Sequence, residues 1–446
     1  MESQSVVQVS RPIHWRINRG IGTLHFHSFL RRFISTLEIS VIVGYNLRMI
    51  TRKIEPVIKR LMKEYPAVTI FGPRQCGKTT LALSLYPSFS HANLEDLQTR
   101  KLAEEDPYEF FIRYPEPVVI DEIQRVPSLL SLVQVRIDEH KEMGQYIITG
   151  SQQIRLQNTV SQSLAGRTAV VNLLPLSLDE LSNAGIVLDR DQQLVSGFMP
   201  YLFQTTGRTP SDYYRSYLTT YVERDVASVG AVHDLSRFLT FLTLLAGRCC
   251  QLVNNSALSG EVGVSSTTIG SWLSILEASH LVYILRPWYT SRTSQVVKTP
   301  KIYFCDVGLA AHLLGIGTPS QMNRDPLMGN LFENMIVMEA VKARYNAGKS
   351  DKLYFFRNSN GLEVDLLVGQ QRKLIPYEVK SGRTMDSKHT LNLKKFISKY
   401  PDDIAQVGGV IYSGESVERF KGYVYRNFHD CAPLFEDKEP TFTVSF

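Results

Sequence analysis

Cysteine is scarce: Cys76, Cys249, Cys250, Cys305 and Cys431 are the five in 446 residues. None is spaced as CxxC and the one close pair is adjacent, so neither a zinc site nor a disulfide framework follows. Reduced thiols are the simplest reading, which places the chain in the cytoplasm. Long apolar runs are missing too. No stretch reaches the ~18 uninterrupted apolar residues of a membrane-spanning helix, so no membrane partner is expected. Basic excess is thin. The net charge is +6, but residues 1–48 hold six Arg against two Glu, which leaves +2 for the rest. That excludes a strongly basic nucleic-acid-binding body.

What is present is ordinary for a folded chain: 43% apolar and 21% charged residues. At roughly 100–200 residues per domain the length suggests two to four domains. Residues 1–48 are Arg- and Ser-containing, without clear periodicity. They read as a disordered extension or an over-extended start rather than a targeting segment. Met49 opens "MITRKIEPVIKRLMKEYP", an amphipathic helix with Ile54, Val57, Ile58 and Leu61 on one face.

"FGPRQCGKTT" (Phe71–Thr80) holds Gly72, Gly77, Lys78 and Thr79 in the spacing G-x-x-x-x-G-K-[ST]. An apolar strand leads in and a helix leads out. The loop Gly72-Pro73-Arg74-Gln75-Cys76-Gly77 turns backbone N–H groups toward phosphates, and the helix dipole points at them. Lys78 supplies a mobile charge for the β- and γ-phosphates, Thr79 a hydroxyl for Mg²⁺, and Thr80 continues the loop. "PVVIDEI" (Pro117–Ile123) ends an apolar strand in two acids: Asp121 for the Mg²⁺ shell, Glu122 to polarise the attacking water. "GQYIITGSQQ" brings Thr149 or Ser151 to a strand end, where ligands of a parallel sheet bind. Arg167, before the strand "TAVVNLL", is a candidate charge-stabilising finger, in cis or from a neighbouring subunit.

Taken together, "GPRQCGKTT", "VVIDEIQRVPSLL", "YIITGSQQ", "SLAGR" and "LLPLSLDEL" resemble a family of prokaryotic AAA-type ATPases that carry a C-terminal domain of unknown function. The likeness spans roughly residues 50–435. It implies ATP as the nucleotide. Cys76 stands at a variable position of the loop and would make the site sensitive to thiol reagents if exposed. "YVERDV" also matches, with Arg224 and Asp225 either an inter-domain switch contact or a helix-end ion pair.

Residues 254–288 predict a helix, a turn and a second helix capped by Ser265 or Ser266. That second helix buries Ile269, Trp272, Leu273 and Leu276, and a β-rich stretch follows. This resembles a winged helix-turn-helix. Its second helix, from Ser265 to Glu277, has no Lys, Arg, Asn or Gln with which to read bases. The expectation is a lid packed on the ATPase, with Arg286, Arg292 and Lys298 left for weak phosphate contact.

"GNLFENMIVMEAVKARY" predicts a helix headed by Glu333. "LYFFRNSNGLEVDLLV" predicts two strands with Asp365 in the second. "LIPYEVKSG" is a third, with Glu378 and Lys380 on one face. Asp365 and Glu378 can jointly ligate Mg²⁺, Lys380 can position or deprotonate water, and Glu333 can reach the metal or hold a lysine. The order resembles the PD-(D/E)xK nuclease fold. Lys388, Lys394, Lys395 and Lys399 follow as candidates for a phosphate backbone.

The expected fold class is α/β: a P-loop AAA-type ATPase core (49–190), a helical and winged-helix middle (191–320), a restriction-endonuclease-like α/β domain (321–435) and a tail (436–446). The expected cofactors are ATP and Mg²⁺. The expected function is an ATPase whose nucleotide state controls a nuclease-like domain, acting on DNA. The alternative is an ATP-driven signalling or assembly switch whose inactive tail binds a protein partner. Homo-oligomer formation stays open.

Overall fold

The computed structural model describes residues 49–151, 160, 163–221, 232, 234–289 and 297–436. Residues 1–48, Arg224, Asp225 and Arg292 lie outside them.

The first layer is a parallel sheet. Helix α1 (Glu55–Glu64) lays Ile58 and Met62 inward and leads to β1 (Ala67–Phe71). After the glycine-rich loop comes α2 (Lys78–Leu85), then β2 (Ser90–Asn93), α3 (Leu97–Glu105) and α4 (Pro107–Arg113). β3 (Val118–Asp121), α5 (Leu129–His140), β4 (Tyr146–Gly150) and β5 (Thr168–Asn172) complete it. Asp96 and Asp106 accept the backbone N–H groups of Thr99 and Glu109, which fixes the starts of α3 and α4. The strand order is β2-β3-β4-β1-β5, all parallel.

Both faces of this sheet are covered, as parallel strands require. Alternation divides the central strands β1, β3 and β4 between two apolar clusters. Ala67, Phe71, Val118, Ile120, Tyr146 and Ile148 face one side; Val68, Ile70, Val119 and Ile147 face the other. The C-terminal ends of all five strands therefore fall on one edge of the sheet.

The middle begins with α6 (Leu178–Asn183), α7 (Arg190–Ser196), α8 (Pro210–Tyr221) and α9 (Leu235–Ala246). α10 (Asn255–Val262), α11 (Ser266–Ala278), the antiparallel pair β6 (Val282–Leu285) and β7 (Lys301–Phe304), and α12 (Val307–Leu313) follow. Ser265 caps α11, and Ile269, Trp272, Leu273 and Leu276 are buried as the periodicity predicts.

The C-terminal part opens with the long helix α13 (Met328–Asn346). β8 (Leu353–Arg357), β9 (Glu363–Gln370), β10 (Lys373–Lys380), α14 (Leu391–Lys399), β11 (Gly409–Tyr412), β12 (Val417–Phe420) and β13 (Tyr423–Asn427) follow. The sheet order is β12-β13-β11-β10-β9-β8. β8, β9 and β10 form an antiparallel meander, and β10 pairs β11 in parallel. One continuous apolar core runs from Leu174 to Phe435 through middle and tail alike, with α13 buried along most of its length. Among the described residues no helix is long and apolar enough to cross a membrane.

Candidate functional site

The glycine-rich loop lies where β1 meets α2. Gly77 takes a left-handed conformation (φ 95°) immediately before the helix, which a side chain would strain. Gly72 has a different reason: a Cβ there would come within 2.0 Å of the Leu173 carbonyl oxygen. Lys78 is buried, and its Nζ donates to the carbonyls of Gly72 (3.1 Å) and Pro73 (2.8 Å). Those acceptors are neutral, so the ammonium keeps its whole charge for an incoming phosphate.

Thr79 Oγ1 lies 2.8 and 3.0 Å from the two oxygens of Asp121 at the end of β3. The hydroxyl and carboxylate expected to flank Mg²⁺ are thus side by side, and the donor set fits that ion. Thr149 donates to Asp121 as well, so it orients the carboxylate rather than facing a phosphate. Among the described residues, Ser151 Oγ, beyond β4, is buried without a partner, as are Asn172 Oδ1 at the end of β5 and Gln124 Oε1. Glu122 adopts φ 59°, ψ 47°, unusual for a non-glycine residue, and its carboxylate accepts from Gln124 Nε2. Of the remaining loop residues, Arg74 is half-buried, Gln75 is exposed and accepts from Tyr213 OH on α8 (2.8 Å), and Thr80 lines the cavity beside the loop. Cys76 is wholly buried, and burial pushes its thiol pKa up; the expected thiol sensitivity loses its footing.

Next to Gly77 and Thr80 lies a cavity of about 290 Å³, lined also by Ile50, Arg52, Leu176 and Pro200. Two residues near the loop carry no sequence motif. Arg52 reaches it from 24 residues upstream, donating to the Cys76 carbonyl at 2.8 Å. His280, in the turn after α11, has φ 53° and a buried Nε2 without a partner among the described residues. Burial, helped by the positive charge of Lys78, lowers its pKa to about 4. The imidazole is therefore neutral at physiological pH.

Arg167 requires a correction. Its carbonyl accepts from Ala67 N at the start of β1, at the opposite edge of the sheet from the loop, and its guanidinium pairs with Asp138 on α5. β1 separates it from Lys78 by its full length, so Arg167 cannot act as a finger in cis.

In the C-terminal sheet, Asp365 and Glu378 stand next to each other across β9 and β10, because the register brings Leu366 opposite Tyr377. Val379 N donates to Asp365 Oδ2 (2.9 Å). Lys380 Nζ bonds both acids, Asp365 at 3.1 Å and Glu378 at 2.6 Å. Burial would raise Asp365, but the positive charges of Lys380 and Lys301 outweigh it and lower its pKa. Glu378 is raised well above its usual value by burial and by the charge of Asp365, and its Oε1 is buried without a partner.

Glu333 does not complete a three-acid set. Its Oε1 accepts from Lys301 Nζ (3.0 Å) and Tyr303 OH (2.8 Å), both on β7, so it holds a lysine rather than a metal. Burial raises its pKa to about 7. Lys301, 2% exposed, also pairs with Glu363 at 2.7 Å. Among the described residues no group of three or more His, Cys, Asp or Glu side chains is arranged to hold a metal. A lysine opening the otherwise apolar strand "KIYF" was the available signal for this partner. Lys388, Lys394, Lys395 and Lys399 are exposed on and before α14, and Arg286 and Lys298 are exposed near β6 and β7.

Three family models match the chain in succession: an AAA domain over residues 64–182, a domain of unknown function (DUF8612) over 188–320 and another (DUF4143) over 328–429. Uncharacterized proteins of Mycobacterium tuberculosis and Mycobacterium bovis are each 29% identical over 331 residues, covering 73% of either chain. Among solved structures, the Walker-type ATPase PABY2304 of Pyrococcus abyssi is similar with a TM-score of 0.40 and 12% identity, over 61% of this chain and 98% of that one. The STAND protein PH0952 of Pyrococcus horikoshii, with a tetratricopeptide repeat sensor, gives 0.23 and 13%, over 69% and 48%. Residues 64–182, with Lys78, Thr79 and Asp121 gathered on one edge of a parallel sheet, form an AAA-type P-loop ATPase domain, which supports ATP binding and hydrolysis.

Proposed function

We propose that this chain is a Mg²⁺-dependent ATPase whose nucleotide state controls a nuclease-like C-terminal domain acting on DNA. Thr79 and Asp121 would hold Mg²⁺ at the nucleotide, where the ion supplies charge neutralisation at the β- and γ-phosphates. Lys78 binds those phosphates, the Gly77 backbone N–H contributes to their cradle, and Glu122 orients the attacking water. Ser151, with its buried free hydroxyl, is the sensor at the third strand end. The cavity beside Gly77, of mixed polar and apolar lining, takes the base.

The observation that carries the nuclease-like reading is the adjacency of Asp365, Glu378 and Lys380 on β9 and β10, with a buried carboxylate oxygen of Glu378 left unsatisfied. The helix–three strands–helix–strand succession α13-β8-β9-β10-α14-β11 is consistent with the PD-(D/E)xK resemblance. Asp365 and Glu378 are the residues that would hold a divalent cation there. The test is cleavage of single- and double-stranded DNA with Mg²⁺ or Mn²⁺, with and without ATP, beside Lys380→Ala. Cleavage that depends on Lys380 and responds to ATP is expected.

A second reading is favoured by three ion pairs. Lys380 bonds both carboxylates at once and Lys301 claims Glu333, so the acids are neutralised from within the chain. An ATP-driven switch with an inactive tail that binds a protein partner fits that arrangement. DNA left intact, together with ATP turnover lost in Lys78→Ala, would select it.

A further inference from the structure

The chain leaving β5 crosses the glycine-rich loop before entering α6, and it is held from both sides by buried ions. On the loop side is Arg52. Its Nη1 donates to Cys76 O (2.8 Å), its Nη2 to Leu174 O (2.6 Å) and its Nε to Glu180 Oε1 (3.1 Å). Glu180 Oε2 in turn accepts from Ser177 N (2.9 Å), closing a capping box with the Ser177 hydroxyl. On the other side is α13. Glu339 Oε2 accepts from Leu178 N (2.9 Å), and Lys342 Nζ donates to Leu176 O (2.8 Å) and Glu339 Oε1 (2.8 Å). Arg52, Glu180, Glu339 and Lys342 are all buried.

We propose that Arg52 is a positioning residue for nucleotide phosphates, and that residues 174–178 form a strap coupling the phosphate loop to α13. The inference rests on ATP binding at that loop and deepens the proposed control of the tail. The loop end of the argument is peptide geometry. In a planar trans peptide the C=O and the following N–H point in opposite directions. Arg52 holds the Cys76 carbonyl outward, so the Gly77 N–H faces the concave side, where phosphates are gripped. A loop that tightens on phosphate pulls on Arg52 and so on Leu174 and Glu180.

The far end is equally constrained. Leu176 O and Leu178 N flank Ser177, and both are claimed by α13. Residues 174–178 are all buried and hydrogen-bonded at both ends, so a shift at Glu180 reaches Glu339 and Lys342 as a change in their hydrogen bonds. α13 also carries Glu333, whose partner Lys301 pairs with Glu363 on β9, two residues before Asp365. Coupling of this kind is reciprocal: whatever disturbs the Glu339 end must change nucleotide affinity.

The experiment uses the full chain, Mg²⁺ and a fluorescent ATP analogue. Arg52→Lys keeps the charge but cannot make the three-way contact. Glu339→Gln keeps an acceptor for Leu178 N, and Glu339 is not among the residues lining the cavity beside Gly77. Tyr283→Phe, which removes a hydrogen bond to Asp351 (2.8 Å) elsewhere in the core, controls for general destabilisation. Arg52→Lys is expected to weaken binding about tenfold and Glu339→Gln about threefold, with the double variant weaker by less than the product. Tyr283→Phe is expected to bind as the wild type. Effects that multiply, or equal losses in Tyr283→Phe and Glu339→Gln, would overturn the strap. If Arg52→Lys does not fold, Glu339→Gln against Tyr283→Phe decides alone. A wild-type chain that binds no analogue sinks the ATPase reading, whereas wild-type binding matched by Glu339→Gln sinks only the strap.

Discussion

Lys78 and Lys380 each serve an acidic strand end, and their surroundings are opposite. Lys78 bonds two neutral carbonyls, and Asp121 is bonded to Thr79 and Thr149 instead. Lys380 bonds two carboxylates directly. The parallel sheet thus presents an uncompensated cation to an anionic ligand, while the mixed sheet presents a neutralised cluster. One region is built to receive charge from outside. The other must have its internal pairing displaced before a cation or a phosphate can enter.

That contrast can be broken experimentally, and the largest effect is expected in the neutralised region. Lys301→Met leaves Glu333 and Glu363 without their buried partner, and an uncompensated buried charge costs about 3–5 kcal/mol. Denaturant unfolding of the variant measures it, and an undiminished midpoint would mean the cluster is not held by Lys301. Next comes Lys78→Ala, expected to lower ATP turnover by about 100-fold, or about 2.7 kcal/mol in the barrier, with little change in stability. A steady-state ATPase assay checks it.

A smaller effect concerns pH. His280 has its pKa lowered to about 4, against about 6.5 when unfolded. The unfolded state therefore takes up a proton that the native state refuses as pH falls from about 6.5 to 4. Stability contributed by the neutral imidazole is lost over that window. His280→Leu should flatten the acid limb of a stability–pH curve, and an unchanged limb would place the effect elsewhere. Smallest of all is Arg167→Ala. Its pairing with Asp138 is solvent-exposed and adds little to stability, and turnover should stay within about twofold. A larger loss at raised protein concentration would point to a neighbouring subunit.

The two regions also differ in how far the sequence reveals them. The phosphate site is nearly contiguous in the chain: Gly72 to Thr80 on one turn, Asp121 and Ser151 at apolar strand ends. Each of those strands is a short, fully buried and largely apolar run, so the motif and its setting are legible together. The tail strands and the positions of Asp365, Glu378 and Lys380 are legible for the same reason. What escapes is pairing over long separations. Nothing near Arg52 marks it as the partner of Glu180, 128 residues on, and nothing near Glu333 names Lys301. Arg167 misleads because the sequence does not say that its strand runs parallel to β1; once it does, a position before the strand lies at the end of the sheet away from the ligand. β2 is missed because "SHAN" has neither alternation nor branched residues, its strand form coming from β3 beside it.

The apolar core that runs unbroken from Leu174 to Phe435 bears on how such a chain can change over time. A segment exchanged between two genes has to bring its own packing with it. Here α13 fills space for the strap, for β7 and for β10 together, so residues 328–429 transplanted alone would expose a helix meant to be covered on several sides. The inheritable unit is the whole assembly behind the ATPase sheet. Substitutions at its seams can persist only in matched pairs, as with an acid on α13 and the lysine on β7 that holds it.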